Sequence, residues 1–216
     1  MARLNGGDMA FTLLHTAETH RATFDAIAAR EGADIALRHI VRPDLLGHAL
    51  SGVTPALEAE IAALVGAAPG PVLCTCSTLG PVAEAHGALR IDAPMMTAAA
   101  KIATDCGGAI LMVYCLQSTL APSVALLDHA LEAEGREVRV HTLDLAPFWP
   151  LFEAGEHDAF VAVIARQTRE AAARIANLSA IILAQASMAG AARLIDLDVP
   201  VLASPELAFR AMMDAR

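Results

Sequence analysis

The chain has 216 residues, 56% of them hydrophobic and only 4% aromatic, with 15 basic against 24 acidic side chains for a formal charge of −9. That length buries a sizeable core in one large domain or two small ones, packed through Ala, Leu, Val and Ile. With no basic cluster to neutralise phosphates, a nucleic-acid partner is excluded.

The N-terminal MARLNGGDMAFTLL lacks the long apolar core of a signal peptide. Four cysteines in such a chain read as reduced thiols of a cytoplasmic protein. The first element is FTLLHT (Phe11 to Thr16), a short β-rich run. AETHRATFDAIAAREG follows with helical spacing and Gly32 as its stop. DIALRHIV is a second strand. VTPALEAEIAALVG is a second helix, with Thr54 as N-cap and Pro55 at its first position. VLCTC supplies a third strand, and Gly80-Pro81 starts the next helix.

The uncharged segment from Cys106 to Leu127 would pass for a membrane span by hydropathy. Its Gly107, Gly108, Gln117, Ser118, Thr119 and Pro122 instead predict a buried strand followed by a helix start. Thus AILMVYCL is a strand and APSVALLDHALEAEG a helix ending at Gly135. EVRVHTLDL is another strand, and APFWPLFEAGEHD a loop carrying most of an aromatic cluster. AFVAVIARQTREAAARIAN is a long amphipathic helix, AIILAQ a strand, and VPVLASPELAFRAMM a closing strand and helix. Such alternation predicts parallel sheet with helices on its faces.

One internal echo stands out. VLCTCSTLG and ILAQASMAG overlay without a gap, matching Cys76 to Ala186 and Ser77 to Ser187. Strand ends leading into helices are where open α/β proteins place their chemistry. A cysteine there meets backbone N–H groups and a helix dipole that favour thiolate, so Cys76 is expected to be acidified and reactive. Cys74 shares its face of the strand but lies farther from the carboxyl end. Either thiol is otherwise a small buried hydrophobe. Ser77 and Thr78 offer a carboxylate cradle.

His15 ends the first strand. It is a candidate second base beside Cys76, or else a structural hydrogen-bonder. Gln117, Ser118 and Thr119 form a third polar junction, holding an anion or capping the helix that starts near Pro122. Phe148, Trp149 and Phe152 close a pocket over an apolar group or pack at an interface. The remaining histidines, His20 among them, show no metal-binding spacing, and GxGxxG, GK[ST] and GxSxG motifs do not occur.

Together these pieces resemble the aspartate/glutamate/hydantoin racemase superfamily, which includes maleate isomerase and arylmalonate decarboxylase. The resemblance runs through nearly the whole chain. Cys76-Ser77-Thr78 is similar to the family's first Cys-Asn-Thr motif, and AILMVYCLQST to the strand opening its second half. AAARIANLSAIILAQASM is similar to the approach to its second Cys-Thr motif, and VPVLASPELA to its closing Val-Pro-Val segment.

The resemblance implies two pseudo-symmetric parallel-sheet α/β halves with the active site between them, residues 1–96 plus 199–216 forming one and 97–198 the other. It implies a homodimer or larger assembly, no cofactor, and a small carboxylate or hydantoin-like substrate. Two facing thiols would exchange a proton at the substrate carbon, with Thr16, Ser77, Thr78, Gln117, Ser118, Thr119, Gln185 and Ser187 binding the acid. Where the second cysteine belongs, however, this chain has AQASM, placing Ala186 or, shifted by one, Gln185 in the slot. Neither transfers a proton. The expectation is therefore one-thiol chemistry at Cys76, with His15 as a possible partner. The competing expectation is an anion-binding protein that has lost catalysis.

Overall fold

The computed structural model describes residues 10–31 and 35–214. Gly32, the expected stop of the first helix, and Asp34, the expected start of the second strand, lie outside them. The first lobe runs β1 (Phe11–His15), α1 (Thr19–Arg30), β2 (Leu37–Val41), α2 (Pro43–Ala49), α3 (Pro55–Gly66), β3 (Val72–Cys74), α4 (Gly80–Ala85) and β4 (Leu89–Arg90). Then come α5 (Ala93–Cys106), β5 (Ala109–Tyr114), α6 (Gln117–Glu134), β6 (Val140–Asp144), a 3₁₀ turn (Ala146–Phe148), α7 (Trp149–Glu153) and α8 (His157–Ala172). The chain closes with β7 (Leu178–Leu183), a 3₁₀ run (Ala186–Leu194), β8 (Val201–Ala203) and α9 (Ser204–Asp214).

Two four-stranded sheets result, ordered β2-β1-β3-β4 and β6-β5-β7-β8, with every pair parallel. The orders are equivalent strand for strand, and β3 corresponds to β7, the two strands of the internal echo. In each sheet the order reverses between a pair of neighbours, β1 and β3 in one, β5 and β7 in the other. The loops leaving those neighbours diverge and open a crevice at their carboxyl ends.

The packing follows from composition. All six residues of β5 are buried, as are five of six in β7, so both faces need cover. Met95, Met96, Ala99, Leu127 and Leu131 supply one, and Phe160, Ile164, Met188 and Ala191 the other. Burying each large side chain contributes about 1.5–3 kcal/mol before entropy is counted. Gly107 ends α5 at φ 69°, and Gly108 runs so close to β7 that a Cβ would sit 2.0 Å from Ser179 Oγ. That approach explains the glycine pair in the uncharged segment, and no helix among the described residues is long and apolar enough to cross a membrane.

Several expectations are revised. Helix α6 begins at Gln117 rather than near Pro122, which lies inside it and leaves the Ser118 carbonyl without its helical donor. The aromatic loop is a 3₁₀ turn followed by α7; Pro147 and Pro150 sit in first turns, where their missing N–H costs nothing. Thr54 caps α3 as expected, its hydroxyl accepting from Leu57 N–H at 3.3 Å. Helix α2, strand β4 and helix α5 have no counterpart in the expected elements.

The closing segment divides between lobes. Strand β8 pairs with β7 in the second sheet, not with the first lobe. Only α9 crosses back, where Ala208, Phe209 and Met212 join Phe11, Leu13, Phe24 and Ile27 in the first lobe's core. The expected break at 96/97 falls within α5.

A buried ion pair marks the seam. Arg90 and Asp92 form a fork with two bonds of 2.9 Å, and Arg90 also donates to the Pro122 carbonyl of α6 at 3.3 Å. Removing one partner strands the other charge inside protein. Asp92→Ala is expected to lower stability by about 3–5 kcal/mol in urea unfolding, and a loss below about 1 kcal/mol would remove this pair from the account.

Candidate active site between the lobes

The two crevices face one another. Thr16 and His20 follow β1, Thr75 to Thr78 follow β3, Leu116 and Thr119 follow β5, and Gln185 to Ser187 follow β7. They enclose an inner chamber of about 60 Å³, with Trp149 and Phe152 over it. Those two rings stack at 4.8 Å, whereas Phe148 does not line the chamber. A wider cleft of about 770 Å³ adjoins it, sharing His20, Phe152, Ala186 and Ser187 as walls. Arg30, Arg193 and Arg210 flank this outer cleft.

Hydroxyls bridge the lobes at the chamber. Ser77 Oγ–H donates to the Ala184 carbonyl at 3.1 Å. Thr78 Oγ1 lies 3.1 Å from Ser118 Oγ and 3.4 Å from Thr119 Oγ1. Both halves of the echo thus meet through the residues that follow their strands.

Cys76 lines the chamber and is almost wholly buried. Burial pushes its thiol up, reversing the expected acidification. Opposing that more weakly, the neighbouring Thr16 and Thr78 hydroxyls and the Leu79 and Thr78 backbone amides favour the thiolate. The group is therefore protonated at rest, yet set in a nest of donors that would hold a thiolate once formed. Cys74 has no such place: it does not line the chamber, and its thiol bonds the Cys76 carbonyl at 3.6 Å. Its pKa is raised, chiefly by burial.

His15 is not brought to the chamber. Thr75 Oγ1–H donates to the Leu14 carbonyl at 3.1 Å, so His15 Nδ1–H must donate to Thr75 at 2.8 Å. Neutral His15 then accepts at Nε2 from His39 Nδ1–H, also at 2.8 Å, and His39 Nε2 meets Asp25 at 3.1 Å. Both ring nitrogens are committed. Burial, with the repulsion a charged His15 would meet from His20, His39 and Arg21, brings its pKa down to about 3, and the two hydrogen bonds leave it no free lone pair to act as base.

The other expected ligand-binding residues divide. Thr16, Ser77, Thr78, Thr119, Gln185 and Ser187 line the chamber. Gln117 is exposed, its amide donating to Asp144 at 2.5 Å, and Ser118 reaches the site only through Thr78. Gln185 braces the opposite junction, Oε1 accepting from Cys115 N–H at 2.6 Å and Leu116 N–H at 3.0 Å. Ala186 stands in the slot facing the first lobe.

Sequence reading passed over His20. It is 8% exposed, on the first turn of α1, and neither ring nitrogen has a hydrogen-bond partner among the described residues. Burial lowers its pKa to about 4. Ser187 Oγ is likewise buried and unpartnered. The available signal was position: His20 opens the helix that leaves a strand at the sheet's point of reversal.

The fold and site define a two-lobed α/β protein with a thiol-lined cavity between paired crevices. That fold is shared with racemases among the solved structures. Glutamate racemase from Francisella tularensis subsp. tularensis SCHU S4, in complex with D-glutamate, superposes with a TM-score of 0.64 at 10% identity, over 96% of this chain and 81% of that one. Aspartate racemase from Picrophilus torridus gives 0.59 at 13% identity, over 97% and 94%. Allantoin racemase from Pseudomonas fluorescens gives 0.53 at 20%, over 95% and 90%. No protein-family model matches the chain, and no curated protein is similar to it in sequence.

Thiol labelling reads this site directly. Iodoacetamide at neutral pH is expected to modify exposed Cys106 first, Cys76 slowly, and buried Cys74 and Cys115 only on unfolding. The Cys76 rate should climb above the ordinary thiol range of about pH 8.5 and fall in the presence of malonate. Labelling of Cys76 as fast as Cys106 at pH 7 would contradict the site. Acid titration reads the histidines. Unfolded imidazoles bind protons below about pH 6.5, while folded His15 and His20 hold off until about 3 and about 4. Stability is thus expected to fall as pH drops through that window, and a melting temperature flat from pH 7 to 4 would contradict it.

Proposed function

We propose that the protein is a cofactor-independent isomerase, racemase or lyase that moves a proton beside the carboxylate or carbonyl of a small acid, with Cys76 as the transferring group. The observation that carries this reading is that Cys76 lines an interlobar chamber together with the hydroxyls of Thr16, Thr78, Thr119 and Ser187. A buried thiol of raised pKa is a ready proton donor. The thiolate left behind is then held by the Thr16 and Thr78 hydroxyls and the Thr78 and Leu79 N–H groups. Donors arranged before the reaction need not reorganise during it, which is where most electrostatic barrier reduction arises.

The substrate acid occupies the chamber, its oxygens near Thr119, the Gln185 amide and the unpartnered Ser187 hydroxyl. Whatever the acid carries extends past Trp149 and Phe152 into the outer cleft. The structural neighbours include racemases of glutamate, aspartate and allantoin, which favours inversion at a carbon next to a carbonyl. In this reading the protein is a cytoplasmic homo-oligomer taking a small carboxylate or hydantoin-like substrate without a cofactor.

Ala186 supports a second reading, an anion-binding protein without turnover, because it leaves the second lobe without a thiol. Deuterium exchange separates the two. In D₂O, with both enantiomers of aspartate, glutamate and 5-benzylhydantoin, the protein is expected to place deuterium at the carbon next to the carbonyl of at least one probe. Cys76→Ala should cut that rate about 10²–10⁴-fold, and Cys74→Ala less than about tenfold. Binding without exchange favours the second reading; full exchange in Cys76→Ala removes the mechanism.

A further inference from the structure

We infer that His20 is the second proton-transfer residue, standing in for the thiol that Ala186 lacks and facing Cys76 across the bound acid. This rests on the function proposed above.

A buried polar group without a partner is costly, and native proteins leave few of them. His20 has two such nitrogens, and it lines both the inner chamber and the outer cleft. A bound acid would give them their partner.

Its placement is opposite the thiol. Cys76 belongs to the apolar cluster of Leu14, Leu45, Leu57 and Leu79, on the face of the first sheet covered by α2, α3 and α4. His20 shares a stripe of α1 with Phe24 and Ile27, three and four residues apart, and those side chains belong to the cluster on the other face. Ala186 packs against that same cluster. The imidazole and the vacant slot therefore lie on one side of the chamber, and the thiol on the other. His15 cannot take this role because Thr75 and His39 hold both its nitrogens.

The resting protonation states are complementary. Burial leaves His20 neutral and Cys76 a thiol, and the N-terminus of α1 also disfavours an imidazolium. A free lone pair of His20 takes the proton from carbon, and the C–H electron pair moves onto the carbonyl oxygen. Cys76 S–H then gives its proton to the opposite face of the same carbon, whose electron pair returns from the oxygen. Imidazolium and thiolate remain, and a proton passing from one to the other through solvent restores the resting pair. The net change is inversion.

The test uses full-length protein in D₂O with the enantiomers of aspartate, glutamate and 5-benzylhydantoin, following deuterium in recovered substrate and in product. Wild type is expected to deuterate the product while recovered substrate stays protiated at early times. His20→Asn and His20→Gln, checked for native melting behaviour, should lose inversion about 10²–10⁴-fold. Residual exchange should be confined to one enantiomer in the His20 variants and to the other in Cys76→Ala. Inversion by either His20 variant within about twofold of wild type overturns the inference while leaving Cys76 in place. Deuterium entering recovered substrate as fast as product in wild type overturns it as well, whether or not the variants fold. Wild type inert toward every probe sinks the proposed function, and this inference with it.

Discussion

The constraint on which the rest depends is the meeting of two crevices, each formed where a parallel sheet reverses its strand order. Divergence of the β1 and β3 loops opens one, and of the β5 and β7 loops the other. Ser77 donating to the Ala184 carbonyl, and Thr78 against Ser118 and Thr119, close them upon each other. Helix α9 and the Arg90–Asp92 pair hold the lobes at that spacing from outside the site. Without this closure Cys76 would be one more small residue at a strand end.

Enclosure also decides protonation. In water a helix-start cysteine is acidified by its neighbours, but here burial outweighs the donors and the thiol stays protonated. The same enclosure keeps His20 and His15 neutral. A site built this way rests without charge on either Cys76 or His20. Cys74 illustrates the contrast: two residues earlier, at the end of β3, it has burial without cavity.

Much of this was legible in the sequence. Alternating strand and helix patterns gave parallel sheets, and the echo of VLCTCSTLG in ILAQASMAG located the paired crevices, because the residues that make such a turn are small and hydroxylic in both. Side-chain direction was not legible. His15 and His20 both flank the first crevice, yet pairing of β1 with β2 and β3 turns His15 toward Thr75 and His39, while the first turn of α1 turns His20 into the cavity. Gln117 looked like a ligand-binding residue because its distance to Asp144 depends on the register of β5 with β6, which spacing along the chain does not encode. The closing strand and helix read as one unit, but β8 pairs with β7 while α9 packs its Ala208, Phe209 and Met212 against Phe24 and Leu13 of the first lobe, so the two part company.

In the proposed site, Cys76 and His20 confront the same small acid between the lobes. A crystal structure of the protein soaked with malonate measures this most directly. Density for the acid is expected in the inner chamber, with its central carbon between the Cys76 sulfur and the His20 ring and an oxygen on Ser187 or Thr119. Malonate bound elsewhere, with Cys76 and His20 sealed against protein atoms, would contradict it.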